Sequence, residues 1–198
     1  MSNDINLLSI FKSVTSSLSD NKEELNKADK HNGDHGDNIV NIFSLVTDAF
    51  GKKKSSSLTD QLALAGKLLG KEKSGSAQVY SKGFEAASTQ FEDQSLGADN
   101  LLDLIQTLMG GGEVKKTDDS LSGMLSGFLG GDDGKVDVGD ILSAGLSFFS
   151  AKNRGESNSE ALIEAIISAS PMGSSPHRAQ SSSIVAGTML DFLAGLKK

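Results

Sequence analysis

Apolar residues recur at intervals of three and four along nearly the whole chain, and this spacing restricts what the chain can fold into. Such intervals place apolar side chains on one face of an α-helix, whereas a half-buried strand needs strict alternation of apolar and polar residues. Alternating stretches bounded by turn residues are hard to find here. The sequence therefore predicts an all-α fold. Its clearest apolar face comprises Ile39, Ile42, Phe43, Val46 and Phe50.

The bulk composition excludes several classes of protein. With 198 residues the chain is long enough for one domain, 1–198, with a single core. It has no cysteine and only three histidines, which excludes disulfides and thiolate metal sites and argues against tetrahedral zinc. A net charge of −7 argues against general binding to nucleic acid or to anionic membranes. No apolar run reaches the roughly 18 residues of a membrane span, and residues 1–4 do not resemble a signal peptide, so we expect a cytoplasmic protein.

Polar interruptions of the apolar pattern predict where the helices end. A first helix runs through Ile5 and Val14, a second covers 21–29, and a polar loop leads from there to a helix that begins near Asn38. The lysine and serine run at 52–57 is interpreted as a connector rather than a binding site. Residues from about 110 to 134 are expected to form a flexible insertion, and the acidic turn at its end to cap a helix rather than to bind calcium.

The loop at 29–38 combines oxygen ligands with glycines, which is the chemistry of a hard cation site. The side-chain oxygens of Asp29, Asn32 and Asp34 suit Mg²⁺, which leaves coordination positions open for water and phosphate. Gly33 and Gly36 would take positive φ and let these side chains converge. The helix that follows offers free N–H groups to an anion. The alternative interpretation is an ordinary polar loop, since these residue types are common in turns.

This loop resembles the metal loop of the nucleotide-binding domain of dihydroxyacetone (glycerone) kinases, the DhaL-type domain. The family pattern reads L-D, a short spacer, and G-D-G-D-H-G-x-N-M. Here it corresponds to Ala28-Asp29, a spacer about two residues shorter, and the run from Asn32 to Ile39. Asn32 stands where the family has aspartate, which removes one negative charge from the expected metal site.

Three further segments resemble motifs of the same family, in the same order. The segment from Gly75 to Tyr80 is similar to G-A-S-G-P-L-Y-G, and its small residues suit either close approach of a ligand or a close helix crossing. Gly155 and the following residues are similar to G-D-K-T-M-L-D-A-L, although Ser157 replaces the lysine. The closing segment from Pro171 to Ser183 is similar to the family's last motif, but it lacks D-P-G.

The resemblance implies an antiparallel helical barrel or bundle whose inter-helix loops hold ATP or ADP and Mg²⁺ at one end. It also implies phosphoryl transfer of the glycerone kinase type, with a separate subunit that binds the small hydroxy-ketone. Asp29, Asn32 and Asp34 would hold the metal. The expected nucleotide contacts are His35, Asn38, Ser76, Ala77, Gly155 and Arg178, the last being one of only two arginines.

No residue is an obvious nucleophile, since phosphoryl transfer depends mainly on positioning and charge neutralisation. The degenerate motifs leave a second hypothesis open, a non-catalytic helical module that senses nucleotide, binds an apolar ligand or binds a partner protein. The oligomeric state also stays open.

Overall fold

The computed structural model describes residues 6–54, 56–97, 100–110 and 158–196. These ranges contain α-helices and one short 3-10 helix, and no strand occurs within them. The all-α prediction is therefore confirmed for this part of the chain. None of the helices in these ranges has both the length and the apolar character of a membrane span. The insertion predicted at about 110–134 lies, beyond residue 110, outside the described residues.

The helices follow the predicted apolar segments closely. Their bounds are α1 Leu7–Asp20, α2 Lys22–Ala28, α3 His35–Lys52, α4 Leu58–Leu69, α5 Gly75–Gln90, α6 Leu101–Met109, α7 Asn158–Ser168 and α8 Pro176–Leu196, with the 3-10 helix at Pro171–Ser174 between α7 and α8.

Polar residues just before several helices explain where those helices begin. Asn6 Oδ1 accepts a hydrogen bond from Ser9 N–H at 3.2 Å at the start of α1. Ser57 Oγ does the same for Asp60 N–H at 3.1 Å at the start of α4. Each cap satisfies one of the N–H groups that the first helical turn leaves without an intrahelical acceptor. The signals for these two helix starts therefore lie within three residues of the caps.

A cluster of aromatic rings forms the centre of the core. Phe11 of α1 packs against Phe43 and Phe50 of α3, with centroids 5.9 Å and 5.0 Å apart, and against Phe84 of α5 at 5.6 Å. Tyr80 lies edge-on to Phe43 at 5.0 Å. All five rings are fully buried. Burial and offset ring contacts of this kind fix how α1, α3 and α5 lie against one another.

Small residues allow α5 to approach α4 and α6 closely. A Cβ at Gly66 of α4 would lie 3.1 Å from Ser81 O, and Ser81 Oγ donates to Gly66 O at 2.8 Å. A Cβ at Gly83 would lie 2.7 Å from Leu108 O of α6. Helices can approach this closely only where no side chain separates their backbones. Small residues on α4 and α5 therefore serve helix crossing here, at positions outside the segment from Gly75 to Tyr80.

α3 separates two differently built ends of the molecule. Its 18 residues span about 27 Å, from the polar loop at His35 to the apolar end at Phe50. A pocket of about 370 Å³ lies at the Phe50 end. Its lining combines five apolar side chains with amides, serines and one lysine: Asn6, Leu7, Leu8, Phe50, Lys54, Ser56, Leu58, Gln61, Gln94, Ser95 and Leu96. The loop predicted to bind metal and nucleotide lies at the other end.

Candidate functional site

The loop between α2 and α3 differs from the sequence prediction in its second half. Gly33 has a φ of +69°, as predicted. Gly36 does not take positive φ, and α3 begins at His35 rather than near Asn38. The prediction of two positive-φ glycines was therefore wrong for Gly36. Its role is instead close approach, because a Cβ there would collide with Lys22 O and lie 2.8 Å from Asn26 Oδ1.

Asn26 of α2 closes the N-terminus of α3. Its Oδ1 accepts hydrogen bonds from Gly36 N–H at 2.6 Å and Asp37 N–H at 3.2 Å. Its Nδ2 donates to Asp37 Oδ2 at 2.8 Å. Two of the N–H groups that we expected to favour an anion thus already have an acceptor within the protein. The first turn of α3 is consequently a poorer phosphate site than its sequence indicates.

The three predicted metal ligands lie on this loop, at different depths. Asp29 is buried, and its Oδ1 accepts a hydrogen bond from His31 N–H at 3.0 Å. This bond, helped by the nearby His177 and His35 and opposed by burial, lowers the pKa of Asp29 below its usual value. Asn32 and Asp34 are exposed, and Asn38 Nδ2 donates to Asp34 Oδ1 at 2.7 Å.

Within the described residues, no three His, Asp or Glu side chains come close enough to form a metal-binding group. The predicted Mg²⁺ ligands are two carboxylates and an amide, so they differ from a group of three His, Asp or Glu side chains. Water and phosphate oxygens would fill the remaining coordination positions of the metal. The assignment of Asp29, Asn32 and Asp34 stays a prediction.

Beside the loop, α8 brings a second group of polar residues to His35. His35 Nε2 lies 2.9 Å from Ser181 Oγ, and Ser181 Oγ donates to Arg178 O at 3.0 Å. The rings of His35 and His177 pack edge to face with centroids 4.7 Å apart. His177 Nδ1 lies 3.9 Å from Asp29 Oδ1. We call these five residues, Asp29, His35, His177, Arg178 and Ser181, the histidine cluster.

Burial makes His35 a neutral ring at physiological pH. It lowers the pKa of His35 from 6.5 to about 4, and Coulombic interactions with His177 and Arg178 act in the same direction. Asp29 and Asp34 oppose this shift without cancelling it. A neutral ring can donate or accept a hydrogen bond but brings no charge to an anion. His35 therefore adds no positive charge to this end of the molecule at physiological pH.

The guanidinium of Arg178 lies against the first residue of α5. A Cβ at Gly75 would collide with Arg178 Nη2 and would lie 3.3 Å from Cζ. Within the described residues, no Asp or Glu carboxylate lies within 4.0 Å of Arg178. The N-terminus of a helix carries a partial positive charge. This cation therefore lies against another positive group, with no carboxylate from the described residues to balance it.

A serine near the start of α8 contacts the second histidine. Ser175 Oγ lies 3.3 Å from His177 Nε2, the ring nitrogen that faces away from Asp29. Ser175 is the residue just before Pro176, and its carbonyl accepts the first helical hydrogen bond of α8, from Ala179 N–H at 2.9 Å. A hydroxyl, an imidazole and a carboxylate thus lie in a row. The hydroxyl of Ser175 is within hydrogen-bonding distance of the imidazole of His177, and this imidazole is within ion-pairing distance of the carboxylate of Asp29.

The structure brings together three of the residues singled out from sequence, Asp29, His35 and Arg178. Asn38 lies one turn into α3 beside Asp34. Ser76 and Ala77 lie on the first turn of α5, where Ser74 Oγ caps Ala77 N–H at 3.1 Å, and their side chains are buried. Gly155 lies outside the described residues.

Sequence reasoning did not assign a role to four residues at this end: Asn26, Ser175, His177 and Ser181. His177 offered a signal, because it is one of only three histidines. Asn26, Ser175 and Ser181 are of common residue types. Their hydrogen-bond partners either lie far away in the sequence or are brought into position only by the fold.

Compared with protein-family models, curated proteins and solved structures, this chain has no match.

Proposed function

We propose that the chain is a Mg²⁺-dependent ADP- and ATP-binding domain of the glycerone kinase type. It transfers phosphoryl groups to or from a small hydroxy-ketone or a substrate held by a partner. In this proposal the helices form an antiparallel bundle, and the loops at the His35 end hold the nucleotide. The activity belongs in the cytoplasm, where ATP is available, and a separate subunit holds the ketone.

The unbalanced charge of Arg178 is the observation that carries this proposal. A guanidinium lies against the positive end of α5, and no described carboxylate pairs with it. Two like charges held this close repel each other unless an anion lies between them. A phosphate group suits this position because it can accept hydrogen bonds from both the guanidinium fork and backbone N–H groups.

The adjacent loop supports the metal part of the proposal. Asp29 is held ionised by its own hydrogen bond, and Asp34 and Asn32 are accessible from solvent. Together these oxygens would hold Mg²⁺ against the phosphates, while Arg178 neutralises the remaining charge. His35 and Asn38 would contact phosphate as neutral groups. Ser76 and Ala77 would contribute through their backbone, because their side chains are buried.

The cap on α3 favours a second candidate function. Asn26 occupies the N–H groups that a phosphate would otherwise use, and Asn32 brings no charge to the metal. A site weakened in these two ways suits binding better than transfer. The chain would then be a non-catalytic helical module that senses nucleotide or binds a partner. The pocket at the Phe50 end, which is lined by both polar and apolar side chains, offers this module a place for a ligand with both kinds of group.

Calorimetric titration of ADP and ATP into the full chain, with Mg²⁺ and with EDTA, tests the proposal. We expect binding in the micromolar range that requires Mg²⁺. Arg178→Met should weaken binding about tenfold or more, since hydrogen bonds to charged groups contribute about 1.5–3 kcal/mol. Asp34→Ala should remove the dependence on Mg²⁺.

Lys27→Ala is the matched control, because it removes one positive charge from an exposed side chain at the same end of the molecule. It should leave the affinity within about a factor of two, since a solvated charge that makes no contact contributes little. If a folded protein binds neither nucleotide, the kinase proposal is wrong and the second candidate replaces it. Equal losses in both variants would instead indicate that net charge alone attracts the nucleotide.

A further inference from the structure

The contact between Ser175 and His177 adds a reactive group that the sequence did not reveal. We propose that Ser175 accepts a phosphoryl group from bound ATP, with His177 as the general base. The chain would then carry its own acceptor, and Ser175 would be a site of self-phosphorylation. This inference rests on the proposed nucleotide site.

The geometry gives each group of this set a distinct role. His177 Nδ1 lies 3.9 Å from Asp29 Oδ1, too far for a hydrogen bond but close enough for the carboxylate to flank that side of the ring. The other ring nitrogen, Nε2, lies 3.3 Å from Ser175 Oγ. An imidazole placed between a hydroxyl and a carboxylate is the order of groups that enzymes use to activate serine. Contacts of this kind are often longer without substrate and shorten when it binds.

The hydroxyl of Ser175 is free for this role. A residue in its position normally caps the helix by accepting a hydrogen bond from an N–H group of the first turn. Among the described residues Ser175 Oγ makes no such bond, and its one side-chain contact is the ring of His177. The side chain is half-buried, so it stays accessible to a phosphate.

The surroundings of Ser175 suit an incoming phosphoryl group. The N–H groups of His177 and Arg178 lie in the first turn of α8 and have no acceptor among the described residues. The guanidinium of Arg178 lies at the same end, against Gly75. Backbone donors and a fixed cation stabilise the charge that develops on the transferring oxygens. The serine therefore lies three residues before Arg178, one of the groups that we propose for phosphate binding.

The proposed step balances without a further reactant. Ser175 Oγ bonds to the γ-phosphorus as the bond from that phosphorus to the bridging β–γ oxygen breaks. The hydroxyl proton goes to His177 Nε2, and ADP leaves with its magnesium. Phosphoserine and a protonated histidine remain, and the histidine returns its proton to water.

Incubation of the full chain with MgATP, followed by intact-mass and peptide mass spectrometry, tests the inference. We expect a gain of one phosphoryl group at Ser175. Ser175→Ala should abolish it, and His177→Gln should slow it by roughly 10²–10⁴-fold, the usual contribution of a general base. Ser174→Ala is the control, because Ser174 is exposed, adjacent and makes no side-chain hydrogen bond among the described residues. It should be phosphorylated as fast as the unchanged chain.

Calorimetry on the same samples separates this inference from the proposed function. If MgATP binds and Ser175 is not phosphorylated, the inference is overturned while the nucleotide site stands. If phosphate is found on Ser174, or on Ser175 at an unchanged rate in His177→Gln, the assigned roles are wrong. If MgATP does not bind at all, both proposals fail together.

Discussion

His35 Nε2 lies 2.9 Å from Ser181 Oγ, and both side chains are buried although 146 positions separate them in the chain. Because Ser181 uses its proton to donate to Arg178 O, the proton between the two side chains belongs to His35. His35 is therefore a neutral ring protonated on Nε2. This bond ties the start of α3 to α8 and holds Arg178 near the predicted metal loop.

The neutral state of His35 makes stability fall in mild acid. Its pKa is lowered from 6.5 to about 4 by burial, so the unfolded chain takes up a proton at a higher pH than the folded one. The stabilisation is complete above pH 6.5 and is lost as the pH falls toward about 4. The urea concentration at the midpoint of unfolding should therefore decrease as the pH falls from 6.5 to about 4.

His35→Gln should be less stable at neutral pH and should lose much of this pH dependence. His31→Gln is the control, because His31 is exposed, and it should keep the dependence. Asp29 should contribute below this range, because its pKa is lowered from an ordinary value of 3.8. An unchanged slope in His35→Gln would show that another group causes the effect.

Asn26→Ala should destabilise the protein by about 1–2 kcal/mol, the upper part of the range for loss of a helix cap. The substitution leaves Gly36 and Asp37 N–H without their acceptor and Asp37 Oδ2 without its donor. Chemical denaturation would measure the loss. Asn41→Ala, at an exposed position of α3, should be neutral or slightly stabilising. Equal effects of the two changes would exclude a capping role for Asn26.

Gly83→Ala should destabilise the protein by about 1–3 kcal/mol, because overpacking forces neighbouring groups to move. The new Cβ would lie 2.7 Å from the backbone oxygen of Leu108, which cannot move without shifting α6. Gly187→Ala is the matched control, with Ile163 Cδ1 at an ordinary 3.7 Å. It should stabilise the protein by roughly 0.5–1 kcal/mol through helix propensity. Thermal unfolding of both variants should therefore shift in opposite directions.

Asn32→Asp should increase the affinity for Mg²⁺, because a carboxylate replaces an amide in the predicted ligand set. Asn32 is exposed, so the change should not disturb packing. Titration of Mg²⁺ in the presence of ADP would measure the gain. Asn41→Asp adds the same charge on α3 outside the loop and should change little. If both variants gain equally, the loop is not the metal site.

The helices were predictable from sequence because the signal for each one is local. Apolar spacing marked the buried faces, and side chains such as Ser57 fixed helix starts within three residues of themselves. The start of α3 was placed wrongly because its cap, Asn26, comes from the preceding helix across a loop. A cap supplied by a residue other than the one just before the helix leaves no recognisable pattern in the sequence.

The candidate site was only partly predictable for a related reason. Asp29, His35 and Arg178 were recognisable from their residue types and motifs. His177, Ser175 and Ser181 gain their roles from the way α8 lies beside the loop, which apolar spacing does not encode. The burial that keeps His35 neutral also follows from tertiary packing alone.

The long separation between Ser181 and His35 also affects how the protein folds. Forming a contact across this much chain costs more conformational entropy than forming contacts within a helix or between neighbouring helices. We therefore expect α8 to dock late in folding. Its first turn would then be among the first segments to open in the folded state. A nucleotide spanning Arg178 and the metal loop would fasten these two parts together. At a hundredfold excess over its Kd it would add about 2.7 kcal/mol to folding and slow the opening of α8.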